Sequence, residues 1–133
     1  MIVDTSALLA IAWNESEGST FLDAIESSAL RLISAASVLE AGIVVARRAG
    51  RETAGEAIAA LGALIDQLGL DIEPVTAVQV QLALAAYGRY GKGIHPAGLN
   101  FGDLFAYALA KETDEPLLFK GLDFTQTDVT TAL

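Results

Sequence analysis

Apolar residues along the chain recur with two periods, and the two alternate. Ile2-Val3 is a short apolar run that stops at Asp4-Thr5-Ser6, a pattern that predicts a buried strand turning into a helix. Residues 14–28 carry Phe21, Leu22 and Ile25 on one helical face, and residues 30–33 read as a short strand. Ser34 opens a long predicted helix that ends near Gly50, where glycine can stop it. Residues 52–68 place Ile58, Leu61, Leu64, Ile65 and Leu68 at helical spacing. A strand over 70–73 is stopped by Pro74, and helices follow over 76–90 and 101–112, with a Gly- and Pro-containing loop over 91–98 between them. Strands over 117–119 and 129–131 complete the pattern. There is no internal repeat, low-complexity tract or linker, and Pro74, Pro96 and Pro116 all fall in connections. Short buried strands alternating with helices predict one three-layer α/β domain over residues 1–133, with a short, mainly parallel sheet flanked by helices. Ligands of such sheets sit beyond the carboxyl ends of the strands. The residues just after each strand are therefore the ones to inspect.

Composition narrows the chemistry. The 133 residues are 53% apolar, which suits one folded domain and not a disordered chain. Eight Lys and Arg stand against 17 Asp and Glu, a net charge of −9. That balance argues against a protein that coats nucleic acid indiscriminately, because such binding needs cations to displace counterions from phosphate. With no cysteine, disulfides, thiolate zinc sites, iron–sulfur clusters and a Cys nucleophile are excluded. His95 is the only histidine. The metal-binding groups left are carboxylates, which favour hard cations such as Mg²⁺ or Mn²⁺. The first residues do not resemble a secretory signal and no apolar run reaches the ~20 residues of a membrane span, so the expected location is the cytoplasm.

Each acid after a strand has an ordinary structural explanation and a chemical one. Asp4 is a good N-cap for the helix that follows it. Glu40 lies in Ser37-Val38-Leu39-Glu40, which fits a capping box, but the helix starts near Ser34 and leaves Glu40 a turn inside among apolar neighbours. It is either at a solvated edge or core-facing with a cation as partner. Asp103 follows Asn100, a possible cap, and sits where the helix dipole favours a carboxylate. Asp123 suits a turn after the 117–119 strand, and Asp128 is a weaker candidate. Asp4, Asp103 and Asp123 fall at element ends that the fold gathers at one sheet edge. Carboxylates so placed take up protons unless a divalent cation neutralises them.

Four segments together resemble the PIN-domain family, in particular the VapC-type toxin ribonucleases of toxin–antitoxin pairs. They are Ile2-Val3-Asp4-Thr5-Ser6-Ala7-Leu8, Ser37-Val38-Leu39-Glu40, the stretch from Asn100-Phe101-Gly102-Asp103 to Ala110, and Pro116-Leu117-Leu118-Phe119-Lys120-Gly121-Leu122-Asp123-Phe124. They occur in the family's order and span essentially the whole chain. The resemblance implies a PIN-like fold and an endoribonuclease dependent on Mg²⁺, for which Mn²⁺ substitutes. It implies Asp4 and Asp103 as main metal ligands, Glu40 completing the cluster and holding a water, and Asp123 as the fourth acid. Here Phe119-Lys120-Gly121 stands where many relatives carry Thr-x-Asp, so Asp123 alone remains in that region. Thr5 and Ser6 match the family's hydroxyl positions, as contacts to carboxylate or phosphate or as helix caps.

On that reading Arg89, Lys92 and His95, with Tyr87 and Tyr90 beside them, form a basic and aromatic segment suited to single-stranded RNA. Arg47, Arg48 and Arg51 form a second basic cluster, at a helix end or against a partner. The implied partners are RNA, a second copy of the chain and a VapB-type antitoxin. The antitoxin would lie over the acidic cleft, with the apolar helices between Phe21 and Leu68 offering it a groove. Two other readings are an α/β phosphatase or phospho-acceptor domain using Asp4, and a non-catalytic protein-binding module. The phosphatase form wants an acid where Ser6 stands; the phospho-acceptor form wants an acid pair that is missing, although Lys120 fits loosely.

Overall fold

The computed structural model describes all 133 residues. In chain order the elements are β1 (Ile2–Val3), α1 (Thr5–Ala12), α2 (Gly18–Glu26), β2 (Leu32–Ser34), α3 (Ala35–Ala49), α4 (Ala54–Leu68), β3 (Asp71–Glu73), α5 (Ala77–Tyr90), α6 (Asp103–Thr113) and β4 (Leu117–Leu118). The strands form one sheet in the order β3-β2-β1-β4, and every pairing is parallel. Six helices flank it, as the alternation of short strands and helices predicts. No helix is long and apolar enough to cross a membrane.

Strands of two or three residues suffice because each contributes to both faces. Successive side chains in a strand point to opposite sides. Val3, Ile33 and Leu118 therefore enter one core, packed with α1 to α4, while Ile2, Leu32 and Leu117 enter another, packed with α5 and α6. Ile2, Val3, Ile33 and Leu117 are completely buried. Register fixes the pairing: Ile2 lies opposite both Leu32 and Leu117, and Val3 opposite Leu118. Slipping any strand by one residue would exchange its two faces between the cores. β3 is the outer strand, with Ile72 half exposed and Asp71 and Glu73 on either side of it. Charged residues there discourage edge-to-edge pairing.

Several boundaries differ from the sequence expectation. The second helix begins at Gly18 rather than near residue 14, because Asn14 has φ 51°, a left-handed conformation that interrupts helix. Gly18 then packs tightly on α1: a Cβ there would lie 2.9 Å from the Ala10 carbonyl oxygen. β2 begins two residues late, as Leu30 turns outward and its carbonyl accepts from the Met1 ammonium at 2.8 Å. Residues 51–53 form a turn before α4, and residues 101–102 a turn before α6. The 129–131 segment is not a strand. It makes one parallel bridge, Thr131 to Leu117, beside β4. Phe119 likewise leaves the sheet after Leu118 to pack on Phe124, with ring centroids 5.0 Å apart.

Gly18→Ala is expected to lower stability by about 1–3 kcal/mol, because the added methyl meets backbone and not a yielding side chain. Denaturant unfolding should show a lower midpoint at an unchanged slope. An unchanged midpoint would mean that the α1–α2 contact is not tight.

Candidate active site

β1 ends at Val3, and the Asp4 N–H donates to the Leu118 carbonyl at 2.9 Å, fixing Asp4 at the carboxyl edge of the sheet. Its carboxylate caps α1. Oδ2 accepts from the Ser6 N–H at 2.9 Å and from the Ser6 hydroxyl at 2.5 Å. Capping and chemistry are thus not alternatives here, because the cap occupies one oxygen and leaves Oδ1 without a hydrogen bond. Only 4% of Asp4 is exposed. Burial raises its pKa, the Ser6 hydrogen bonds oppose that rise, and the Glu40 charge adds to it.

Ser34 caps α3 through the Ala36 N–H, so Ser37-x-x-Glu40 is not the capping box. Glu40 lies two turns into the helix and is half buried. Its Oε2 accepts from the Thr5 hydroxyl at 2.7 Å, and that hydroxyl also reaches the Ser37 carbonyl oxygen at 3.3 Å. The other side of the carboxylate lies against Gly102, where any Cβ would overlap it. The glycine in Asn-Phe-Gly-Asp is therefore part of the site, which sequence reasoning did not single out.

Asn100 and Asp103 hold each other at the start of α6. Asn100 Oδ1 accepts from the N–H groups of Gly102 (2.7 Å) and Asp103 (3.3 Å), and Asp103 Oδ2 accepts from the Asn100 N–H at 2.7 Å. This is the reciprocal logic of a capping box. Asp103 is pushed up from 3.8 to about 6, chiefly by burial. The charges of Asp4, Asp123 and Glu40 push in the same direction, and the Asn100 N–H opposes them. Asp103 thus stands in the field of all three other candidate acids.

Asp123 is exposed, on the loop after β4 that Phe124 anchors in the core. That loop is tied to the site by the Lys120 N–H, which donates to the Ser6 hydroxyl oxygen at 2.9 Å. The Lys120 ammonium turns away to Glu15 (2.7 Å) and Glu17 (3.4 Å). Asp128 lies apart. It accepts from the Tyr107 hydroxyl at 2.6 Å and pairs with Arg89 (3.4 Å) and Lys111 (3.7 Å), which makes it a structural acid.

Of the basic segment, Arg89 is engaged with Asp128 and stacks over Tyr90 at 4.8 Å. His95 accepts the Ala97 N–H on Nδ1 at 3.1 Å and meets Tyr90 edge-on. Lys92 is exposed, and its ammonium has no partner. None of the three bonds to the acid cluster. Arg48 stacks on Trp13 at 4.1 Å, and Arg47 is exposed without an ion pair.

The donor set suits a hard divalent cation. All its ligating atoms are carboxylate oxygens, and Asp4, Glu40 and Asp103 each spend one oxygen on a local donor and keep the other free. As the side chains stand, no three acids converge at mutual ligating distance. The Thr5, Ser6 and Asn100 hydrogen bonds hold each carboxylate to its own element.

Comparison with known proteins gives a consistent outcome. The PIN-domain family model matches residues 1–129. The chain is 47% identical over 134 residues to Ribonuclease VapC28 of Mycobacterium tuberculosis, covering all of this chain and 98% of that one. It is 43% identical over 129 residues to Ribonuclease VapC of Mycolicibacterium smegmatis, covering 97% of each. Its fold is similar to the crystal structure of Mycobacterium tuberculosis VapC20, a Sarcin-Ricin loop cleaving toxin, with TM-score 0.74 and 19% identity over 97% of this chain and 95% of that one. It is also similar to a chain of a toxin–antitoxin complex from Klebsiella pneumoniae, with TM-score 0.66 and 16% identity over 99% and 97% of the two chains.

The raised Asp103 pKa carries a sign. Between pH 3.8 and about 6 the folded protein holds a proton that the unfolded chain has lost, so the Asp103 contribution to stability falls as pH rises through that window. In metal-free protein at pH 7, Asp103→Asn should gain about 1 kcal/mol after allowance for solvent screening, and the gain should vanish near pH 4. Denaturant melts at the two pH values measure it. A variant no more stable than wild type at pH 7 would show that neither burial nor the neighbouring acids disfavour the Asp103 charge.

Proposed function

The chain belongs to the PIN-domain family, and from that premise we propose that its acid cluster is the catalytic centre of a VapC-type endoribonuclease toxin. The observation that carries the reading is geometric: Asp4, Glu40 and Asp103 each have one carboxylate oxygen held by a local donor and the other left free, and Asp103, raised to about 6 chiefly by burial, also feels the charges of Asp4, Asp123 and Glu40. A charge arrangement that disfavours its own ionised state suits a site built around a cation.

Asp4 and Asp103 are the proposed main ligands for Mg²⁺, for which Mn²⁺ substitutes, with Glu40 completing the set. When bound, the ion would lower the pKa of water and offset charge on the phosphodiester. The protein's own groups supply placement. Ser6 holds Asp4, Thr5 holds Glu40, and Asn100 holds Asp103, each through one oxygen. Glu40, with Oε1 free, can orient a water. Asp123 adds negative charge from the rim. Thr5 and Ser6 position carboxylates here, and contact with phosphate is a further proposed role. Arg89, Lys92 and His95 are the proposed RNA contacts, and Lys92 should contribute most because its ammonium is uncommitted.

Regulation follows from the same reading. A VapB-type antitoxin is the proposed partner, with the toxin acting as a homodimer in the cytoplasm. A groove of about 440 Å³ between α1, α3 and α4, lined by Trp13, Val45, Leu61 and Leu64, is apolar enough for a partner segment.

Asp4→Asn, Glu40→Gln and Asp103→Asn should each lower RNA cleavage by about 100-fold or more, and Asp123→Asn by less because it is exposed. Chelation should stop cleavage and Mg²⁺ restore it. Mapping new RNA 5′ ends with and without each variant checks this. Cleavage that survives both chelation and Asp4→Asn would remove the reading. Gly102→Ala should displace the Glu40 carboxylate and lower kcat by about 100-fold, with far-ultraviolet circular dichroism unchanged. Wild-type kcat in that variant would separate Glu40 from the chemistry.

A further inference from the structure

Lys120 touches two parts of the structure at once. Its backbone N–H donates to the Ser6 hydroxyl oxygen at 2.9 Å, and that hydroxyl donates to Asp4 Oδ2 at 2.5 Å. Its ammonium reaches the connection between α1 and α2, where Glu15 accepts at 2.7 Å and Glu17 lies at 3.4 Å. Of the chain's eight Lys and Arg residues, Lys120 alone is hydrogen-bonded to a residue of the acid site.

The ion pairs are not what holds this loop. Phe124 is buried in the core, and the Lys120 N–H fixes the start of the loop through a backbone atom that no side-chain movement disturbs. The three side chains are 33% to 44% exposed. Pairs so exposed contribute little, because water screens them and ordering long side chains costs entropy. A lysine ammonium is a compact charge on a flexible four-carbon stem. Rotation about that stem carries the charge from Glu15 and Glu17 toward Ser6 and Asp4 while the backbone stays in place.

A phosphodiester gives the cation a reason to move. On approaching Asp4 it meets the negative charge of Glu40, Asp103 and Asp123 as well. The guanidinium groups of Arg89, Arg48 and Arg31 are engaged with Asp128, the Trp13 ring and backbone carbonyls, respectively. We propose that Lys120 is a substrate-binding residue: when single-stranded RNA arrives, its ammonium leaves Glu15 and Glu17 and holds a phosphate beside Asp4. Glu15 and Glu17 are then competitors of the substrate, keeping the cation at the rim until RNA displaces them. This role rests on the ribonuclease reading and adds to it a competition for one charge.

Steady-state cleavage of a short single-stranded RNA by the full chain tests the exchange. Lys120→Met keeps the stem and removes the charge; it should raise KM about 10-fold with a smaller change in kcat, and Lys120→Arg should restore part of the loss. Glu15→Gln combined with Glu17→Gln should act in the opposite direction and lower KM about 3-fold, because the ammonium loses its competitors. In the Lys120→Met background the same double substitution should change KM by much less. That contrast separates competition for Lys120 from a general loss of negative charge, which acts in both backgrounds. The side chains are partly exposed, so denaturant midpoints should stay close to wild type and KM is read on folded protein. A raised KM in the glutamine variant would mark the pairs as a structural clasp and overturn the proposal. So would wild-type KM in Lys120→Met, or an equal effect of the double substitution in both backgrounds. If the wild type cuts no RNA, the ribonuclease reading fails and this role with it; if it cuts and Lys120→Met matches it, this role alone fails.

Discussion

Withdrawing Asp4 from water at the end of β1 is the constraint around which the rest of the site is arranged. A buried carboxylate is costly unless its charge is answered. Two donors from Ser6 answer part of it, and both act on a single oxygen. The other candidate ligands repeat the scheme. Thr5 answers one oxygen of Glu40, and the Asn100 N–H one oxygen of Asp103. Each donor comes from the residue's own helix start or from a strand end beside it, so the carboxylates are oriented by structure that exists before any ligand arrives. What local donors do not remove is the cost of burial and, added to it, mutual repulsion, and the raised pKa of Asp103 registers both. The fold carries that cost as a reduction in stability at neutral pH, and a bound cation would relieve it.

The sheet makes this possible with very little material. Two residues in β1 and two in β4 supply both cores, because Ile2 and Leu117 face one side while Val3 and Leu118 face the other. The strands end abruptly, and the chain then turns at once into the next element. Asp4 is both the residue after β1 and the cap of α1, with no loop between. Ser34 does the same between β2 and α3. Short strands with immediate caps leave the acids little freedom, which is the preorganisation that an electrostatic site needs.

Much of this was legible in the sequence. The alternation of apolar runs predicts the strands and most helices, Asp4 and Asp103 stand out as acids at helix starts, and Glu40 stands out as an acid among apolar neighbours inside a helix. The misses have local causes. Asn14 breaks a helix through a left-handed backbone conformation that apolar periodicity does not reveal. The 129–131 segment has strand-like residues but only one bridging partner, because Leu117 alone is available beside it. Gly102 belongs to the site through contact with Glu40, 62 positions earlier in the chain, and a missing side chain leaves no chemical signal. Arg89 and His95 read as free basic groups in one dimension. In three, Arg89 faces Asp128 and His95 holds the Ala97 N–H.

α3 shows how one helix can serve three demands at once. Its 3.6-residue period separates positions that are adjacent in sequence. Ala41 and Val45 face the core, Glu40 faces the acids, and Leu39 and Ile43 face outward. A change on one face is therefore felt on the others only through rotation or tilt of the helix. Ser34 fixes its start, and Gly50, at φ 83°, ends it. With both ends set, Glu40 is held against Gly102 while Leu39 and Ile43 stay exposed. Under that arrangement the net charge of −9 is not at odds with work on RNA. Four of the 17 acids, Asp4, Glu40, Asp103 and Asp123, are candidates for offset by a cation, and the exposed Lys92 ammonium has no partner within the chain.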